Sequence, residues 1–275
     1  MRGAYCWPQS AVAGNTVSLF FGPSAGKISV RIARQGLGSI NVLNRQNVDS
    51  PQQTLPDNIS VDGLDWTPCL EFEIDESWVS GFYLVSVTDE DERVSEAFFV
   101  VRSEEPLDAM FVLSTSTWTA YNHWGGPSFY MGSPRSSVRR PLPKGFLRKD
   151  DPMHHRIAQY MNWDEATLDE LNRRRYSPWC MAAGWANQEI LFAQWAERQG
   201  LKLSYAISED LDQDPDLLSG YPLYLSVGHD EYWSTAMRDS VEGFVEAGGN
   251  AAFFSGNTAF WQARYEDNQK SLVSF

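Results

Sequence analysis

The sequence predicts an all-β sandwich followed by an α/β unit built on a doubly wound, mainly parallel sheet. Three observations carry this. Residues 1–102 hold short apolar runs separated by Gly, Pro, Asn and Asp, the pattern of a sandwich. From residue 109 onward, strand-length apolar runs alternate with helical periodicity, which gives parallel β-α-β units. Residues 221–257, YPLYLSVGHDEYWSTAMRDSVEGFVEAGGNAAFFSGN, contain one such unit whole.

In chain order, Val17, Leu19 and Phe21 alternate within a strand over 16–21, and Ile28, Val30 and Ile32 within one over 27–32. Further strands are expected over 70–74, 82–87 and 97–101, with 78–83 turning into one of them. Residues 103–108 (SEEPLD) are polar and contain Pro106, so they form the expected linker. Residues 109–113 read as a buried strand, followed by the polar, aromatic segment 114–126. Residues 127–182 lack periodicity. A loop of that length is either functional or disordered, and its aromatic content favours an ordered covering over a site.

Regularity returns at Trp185. Glu189, Phe192 and Ala196 lie at helical spacing, and Gly200 closes that helix. A strand over 203–207 precedes a solvated acidic loop over 209–216 and a short helix from 214. In the last unit the strand 224–227 ends at Gly228, and Ser234 caps a helix whose apolar face is Met237, Val241, Phe244 and Val245. Gly248-Gly249 stops that helix, and a strand over 251–254 leads into Ser255-Gly256-Asn257. Residues 271–275 read as a terminal strand with a free edge, so the chain is expected to be a fragment whose α/β unit continues.

The chain has 275 residues, enough for two domains and a sizeable core. A net charge of −14 argues against nucleic acid and anionic membrane as main partners. No signal peptide and no membrane-length apolar run is visible. The three cysteines, Cys6, Cys69 and Cys180, have no metal-type spacing, and an odd count fits a reducing, cytoplasmic setting.

In an open α/β sheet the segments after each strand gather along one rim, where ligands bind. Tyr121, His229, Glu231 and Asn257 follow three different strands and are expected to share that rim. Nucleophilic serine chemistry does not fit, because Ser255 lacks the Gly-x-Ser-x-Gly elbow. No cysteine follows a strand. Asp230 and Glu231 are adjacent and point apart, which makes a poor glycosidase pair. His-x-Glu suits a metal or a general base, but a lone His at a strand end is as well explained by simple hydrogen bonding. The alternating acids Asp210, Asp212, Asp214 and Asp216 lack the Gly and closing Glu of a calcium loop.

Three motifs carry a resemblance: 117–126 (TWTAYNHWGG), 228–234 (GHDEYWS) and 253–258 (FFSGNT). With the opening Gly3-Ala4-Tyr5 and Ser80-Gly81-Phe82-Tyr83, they resemble the large subunit family of N,N-dimethylformamidase over nearly the whole chain. The resemblance implies an amidotransferase-like α/β domain with a mononuclear iron, ferric in charge, held by two tyrosinates and a glutamate. It implies hydrolysis of a small amide of the formamide type to an acid and an amine. Carried onto this chain, Glu231 and Tyr121 are metal ligands, and Tyr160, by approximate spacing, takes the second tyrosine place with Tyr130 and Tyr176 as rivals. His229 and Asn257 become the catalytic residues beside the metal. The expected partners are the amide and a further copy or a small subunit. The competing reading is a non-catalytic carbohydrate-binding or interaction protein with a degenerate site.

Overall fold

The computed structural model describes residues 2–149 and 165–275. Its first part runs β1 (Gly3–Trp7), β2 (Ser10–Ala11), β3 (Thr16–Gly22), β4 (Gly26–Gln35), β5 (Ser39–Ser50), the one-turn helix α1 (Ile59–Asp62), β6 (Leu70–Glu73), β7 (Gly81–Thr88) and β8 (Val94–Val101). These strands form a three-stranded sheet, β1-β3-β6, facing a five-stranded sheet, β2-β8-β7-β4-β5. Val17, Leu19 and Phe21 of one sheet pack on Ile28, Val30 and Ile32 of the other. The sandwich and its alternating faces are therefore as the sequence predicts. Three strands escaped that reading. The 12-residue β5 is polar and mostly exposed, so its sequence carries no alternation.

Strands β7 and β8 decide how the two parts join. Tyr83, Val85, Val87, Ala97, Phe99 and Val101 fill the sandwich core. The intervening Phe82, Leu84, Phe98 and Val100 point the other way and are equally buried, against Trp118 and Trp185. Phe82 and Trp185 stack with ring centroids 4.2 Å apart. Successive side chains of a strand lie on opposite faces, so each of these strands serves two cores at once. Burying such a side chain contributes roughly 1.5–3 kcal/mol, and the shared layer fixes the second part on the sandwich.

The second part runs β9 (Ala109–Leu113), α2 (Thr115–Tyr121), a 3-10 turn (Phe129–Met131), β10 (Arg135–Ser137), α3 (Glu165–Arg174), α4 (Glu189–Arg198), β11 (Leu203–Ile207), α5 (Ser208–Gln213), β12 (Leu223–His229), β13 (Tyr232–Trp233), α6 (Thr235–Glu246), β14 (Asn250–Gly256), β15 (Trp261–Glu266) and β16 (Ser271–Ser274). Four strands form a parallel sheet in the order β11-β9-β12-β14. Phe111, Tyr205, Leu225 and Val227 pack on Ala193 and Ala196 of α4. Met110, Val112, Ala206 and Tyr224 pack on Leu211 of α5 and on Met237 and Val241 of α6. Burial on both faces explains why β9 reads as an unbroken apolar run; in β11 even Ser204 is buried. The order reverses at β9, so a crevice opens beyond the carboxyl ends of β9 and β12, where ligands bind in such sheets.

Several expectations need correction. Gly228 does not end its strand: β12 continues through His229, paired with Gly256 of β14. The acidic stretch is not a solvated loop. Its first half is α5, with Glu209 buried and accepting from Thr115 Oγ1 at 2.5 Å, and Asp210 lying 3.2 Å from Arg102. The short helix expected from residue 214 is a turn. The last strand has no free edge, because β16 lies between β10 and β15 in a second small sheet. The Ser234 cap is found as expected, its side chain accepting from Met237 N at 3.1 Å.

Two features of β12 and α4 generate tests. Gly228 has φ +93, and a Cβ there would lie 3.1 Å from Gln188 Oε1 and 3.2 Å from Glu189 Cδ. Gly228→Ala combines backbone strain with crowding, and is expected to cost about 1–3 kcal/mol, seen as a lower denaturation midpoint. Glu189 is buried at the start of α4 and accepts from Trp118 Nε1 at 3.1 Å. Burial pushes its carboxyl up from 4.5 to about 8. The native state therefore holds a proton that the unfolded chain releases near pH 4.5, so this group's stabilisation is complete below that pH and is lost as pH rises towards about 8. Glu189→Gln should flatten the decline in melting temperature across that window. The slope that remains belongs to groups such as Glu209, pushed up to about 7 by burial. An unchanged slope in the Gln variant would show that Glu189 is ionised in the native protein.

Candidate active site

Three chain segments meet in the crevice. Helix α2 leaves β9 and ends on Tyr121, which is 3 % exposed. Strand β12 ends on His229, the turn after it carries Asp230 and Glu231, and the turn after β14 carries Asn257. The turns are stitched together through the backbone: Asp230 N donates to Gly256 O at 3.2 Å, Ala259 N to Asp230 O at 3.0 Å and Trp261 N to Glu231 O at 2.9 Å. Asn257 and Ala259 take φ +51 and +52 in this loop, a left-handed conformation that asparagine tolerates better than alanine does.

The side chains converge on one atom. Glu231 Oε2 accepts from Tyr121 Oη at 2.9 Å and from Tyr130 Oη at 2.7 Å. His229 Nε2 lies 3.3 Å from the same oxygen. Asn257 Nδ2 lies 3.3 Å from His229 Nε2, at the exposed lip of the site. The two tyrosine rings stack 4.3 Å apart, and Trp179 packs on both. His229 Nδ1 lies 2.9 Å from Ala182 O. A carbonyl only accepts, so Nδ1 carries a proton, and in the neutral ring Nε2 is the basic nitrogen.

Of the five expected site residues, Tyr121, Glu231, His229 and Asn257 are brought together. Tyr160 lies outside the described residues. Tyr130 is the second tyrosine at Glu231 in the described structure, while Tyr176 is buried in the core under Lys144. Trp179 and the carbonyl of Ala182 were invisible to motif reading, since both lie in the aperiodic stretch and act through a ring face and a backbone atom. Asp230 points away from Glu231 into the end of the sheet and accepts from Ser226 Oγ at 2.5 Å.

Burial, followed by hydrogen bonding with Glu231, pushes the Tyr130 phenol far above its ordinary range. Burial also raises Tyr121, the nearby Glu231 charge adding to it. Without a cation both phenols keep their protons and share one carboxylate oxygen. Two phenols and a carboxylate converging in a buried place form a hard oxygen donor set, and a multivalent cation would take the place of those two protons. The residues present therefore fit a hard ion such as ferric iron. No group of three or more His, Cys, Asp and Glu side chains suited to a metal occurs among the described residues.

Comparison with known proteins agrees with the motifs. The family model described as N,N-dimethylformamidase beta subunit-like, C-terminal, matches residues 30–274. The N,N-dimethylformamidase beta subunit of an Alcaligenes species is 24% identical over 220 residues, which cover 73% of this chain and 28% of that protein. The subunit of the same name from Paracoccus aminophilus is 23% identical over the same shares. The chain thus matches just over a quarter of the length of these curated relatives. Among solved structures, murine CEACAM1b covers 41% of this chain and 63% of its own at 16% identity, with a TM-score of 0.23, an overlap too loose to bear on the fold. No described helix is long and apolar enough to cross a membrane. With the family model spanning the site and most of the sandwich, the chain belongs to the N,N-dimethylformamidase beta subunit-like, C-terminal family.

Proposed function

We propose that this chain carries the iron-dependent active site of a hydrolase that cleaves a small amide, of the formamide type, into a carboxylic acid and an amine. The observation that carries this reading is the convergence of Tyr121, Tyr130 and His229 on Glu231 Oε2. Membership of a family described by N,N-dimethylformamidase supports the amide as substrate class. Glu231 and Tyr121 would hold the ion, with Tyr130 as the second phenolate and Tyr160 as the alternative. When bound, ferric iron supplies a Lewis acid that polarises a carbonyl and makes water more acidic.

The chain's own groups supply the remainder. His229 is oriented by its Nδ1 proton on Ala182 O, so Nε2 faces the reacting centre as a base. It takes a proton from the attacking water and returns it to the departing nitrogen, which leaves as an amine. Asn257 donates from the lip and orients the amide. The stacked tyrosines and Trp179 exclude water on the inner side and limit the substrate to a small one.

Metal analysis of the purified protein, with amide hydrolysis, tests the reading. Iron is expected at one per chain. Glu231→Gln and Tyr121→Phe should lose most of it, because each removes an anionic oxygen while preserving shape. Tyr130→Phe and Tyr160→Phe, compared side by side, identify the second phenolate as the variant that loses iron. His229→Ala should keep its iron and lose turnover by roughly 10²–10⁴-fold. A wild-type protein free of metal, or Glu231→Gln at full iron stoichiometry, would overturn the proposal. The metal-free result would favour an interaction module, for which the exposed Phe254, Phe260 and Phe275 offer an apolar surface.

A further inference from the structure

We propose that Thr117 is the positioning residue that sets Glu231 for the cation; this rests on the metal reading above and gives a role to the first residue of the 117–126 motif. Thr117 is fully buried in the first turns of α2. Its Oγ1 accepts from Glu231 N at 2.9 Å and from Tyr232 N at 3.3 Å. One residue earlier, Ser116 Oγ donates to Tyr232 O at 2.6 Å. The two adjacent hydroxyls therefore clasp the peptide on which the Glu231 side chain is mounted.

The geometry gives this clasp a consequence for the ligands. Thr117 and Tyr121 are four residues apart, so they lie on one face of α2 a single turn apart. Tyr121 meets the carboxylate end of Glu231, and Thr117 meets its backbone end. One rigid turn of helix thus spans the whole glutamate and fixes the distance between the phenol oxygen and the carboxylate. The clasp also answers a hydrogen-bonding need. Glu231 N is a buried donor beyond the end of β12, and Thr117 Oγ1 satisfies it; loss of that acceptor carries a cost that the turn would relieve by shifting.

Valine matches threonine in shape and lacks the hydroxyl, so Thr117→Val isolates the clasp, and Thr117→Ser restores it. Iron affinity is read by chelator competition, the phenolate-to-iron charge-transfer band by visible absorption, and exchange of the Glu231 and Tyr232 amides by NMR on the metal-free protein. Val241→Ala, on the far face of the sheet, serves as the variant that lowers stability alone. Thr117→Val is expected to bind iron about 10- to 100-fold more weakly, to shift the band and to speed exchange of the two amides. Thr117→Ser should recover all three, while Val241→Ala should lower the melting temperature and leave the affinity and band unchanged. Wild-type affinity and band in Thr117→Val would overturn the proposal. So would weak binding in Thr117→Ser, or unprotected Glu231 and Tyr232 amides in the wild-type protein, which requires no variant to fold. A wild-type protein that binds no iron would sink the metal reading itself, and amide exchange would still decide whether Thr117 holds Glu231.

Discussion

A carboxylate that is nearly out of solvent must be matched by donors or by a cation, because desolvation of an unpaired charge is among the largest penalties in a fold. Glu231 is 4 % exposed. Two phenols donate to its carboxylate, two hydroxyls hold its backbone, and an imidazole held by the carbonyl of Ala182 lies beside it. These partners come from four separated stretches of chain: α2, the 3-10 turn, the segment before α4 and the end of β12. The parallel sheet brings them within reach, since β9, β12 and β14 end along one rim and the strand order reverses there. The sandwich contributes from below, through Phe82 and Phe98 under Trp118 and Trp185.

How much of this was legible depends on what each element buries. Strands β9 and β11 are buried on both faces and could be bounded from sequence to the residue. Strand β5 could not, because its side chains face solvent and nothing selects an alternation. Helix α2 is the most instructive loss. Its sequence, TSTWTAY, is rich in residues that disfavour helix interiors. Tertiary hydrogen bonds to Ser116, Thr117 and Ser136 override that preference, and single-residue propensity does not contain them.

The site was legible as chemistry before it was legible as geometry. His229 ends a strand and Glu231 and Asn257 come just after strands, so topology alone gathers them on the rim. Tyr121 follows from the same rule one helix later. The second tyrosine does not follow from it, because the sequence of 127–182 shows no clear period to fix a register. Spacing pointed to Tyr160, which lies outside the described residues, and the structure brings the rival Tyr130 to Glu231. A residue's position within an aperiodic loop is set by long-range contacts, here the stacking of Tyr130 on Tyr121 and on Trp179.

The far end of α2 shows the same principle. Arg140 is 1 % exposed and makes no ion pair with a carboxylate among the described residues. Its guanidinium donates instead to the carbonyls of Ser137, Asn122 and Trp124 and to Ser136 Oγ. Ser136 Oγ in turn donates to Thr119 O. Asn122 and Thr119 are the last carbonyls of α2, where unsatisfied acceptors and the negative end of the helix dipole coincide. A helix of seven residues has too few internal bonds to stand alone. It is held at its start by the Glu231–Tyr232 peptide and at its end by Arg140. The short helix that measures out the site is thereby defined by buried polar contacts at both ends, so the spacing between Tyr121 and Glu231 is a property of the whole domain and not of either residue's own segment.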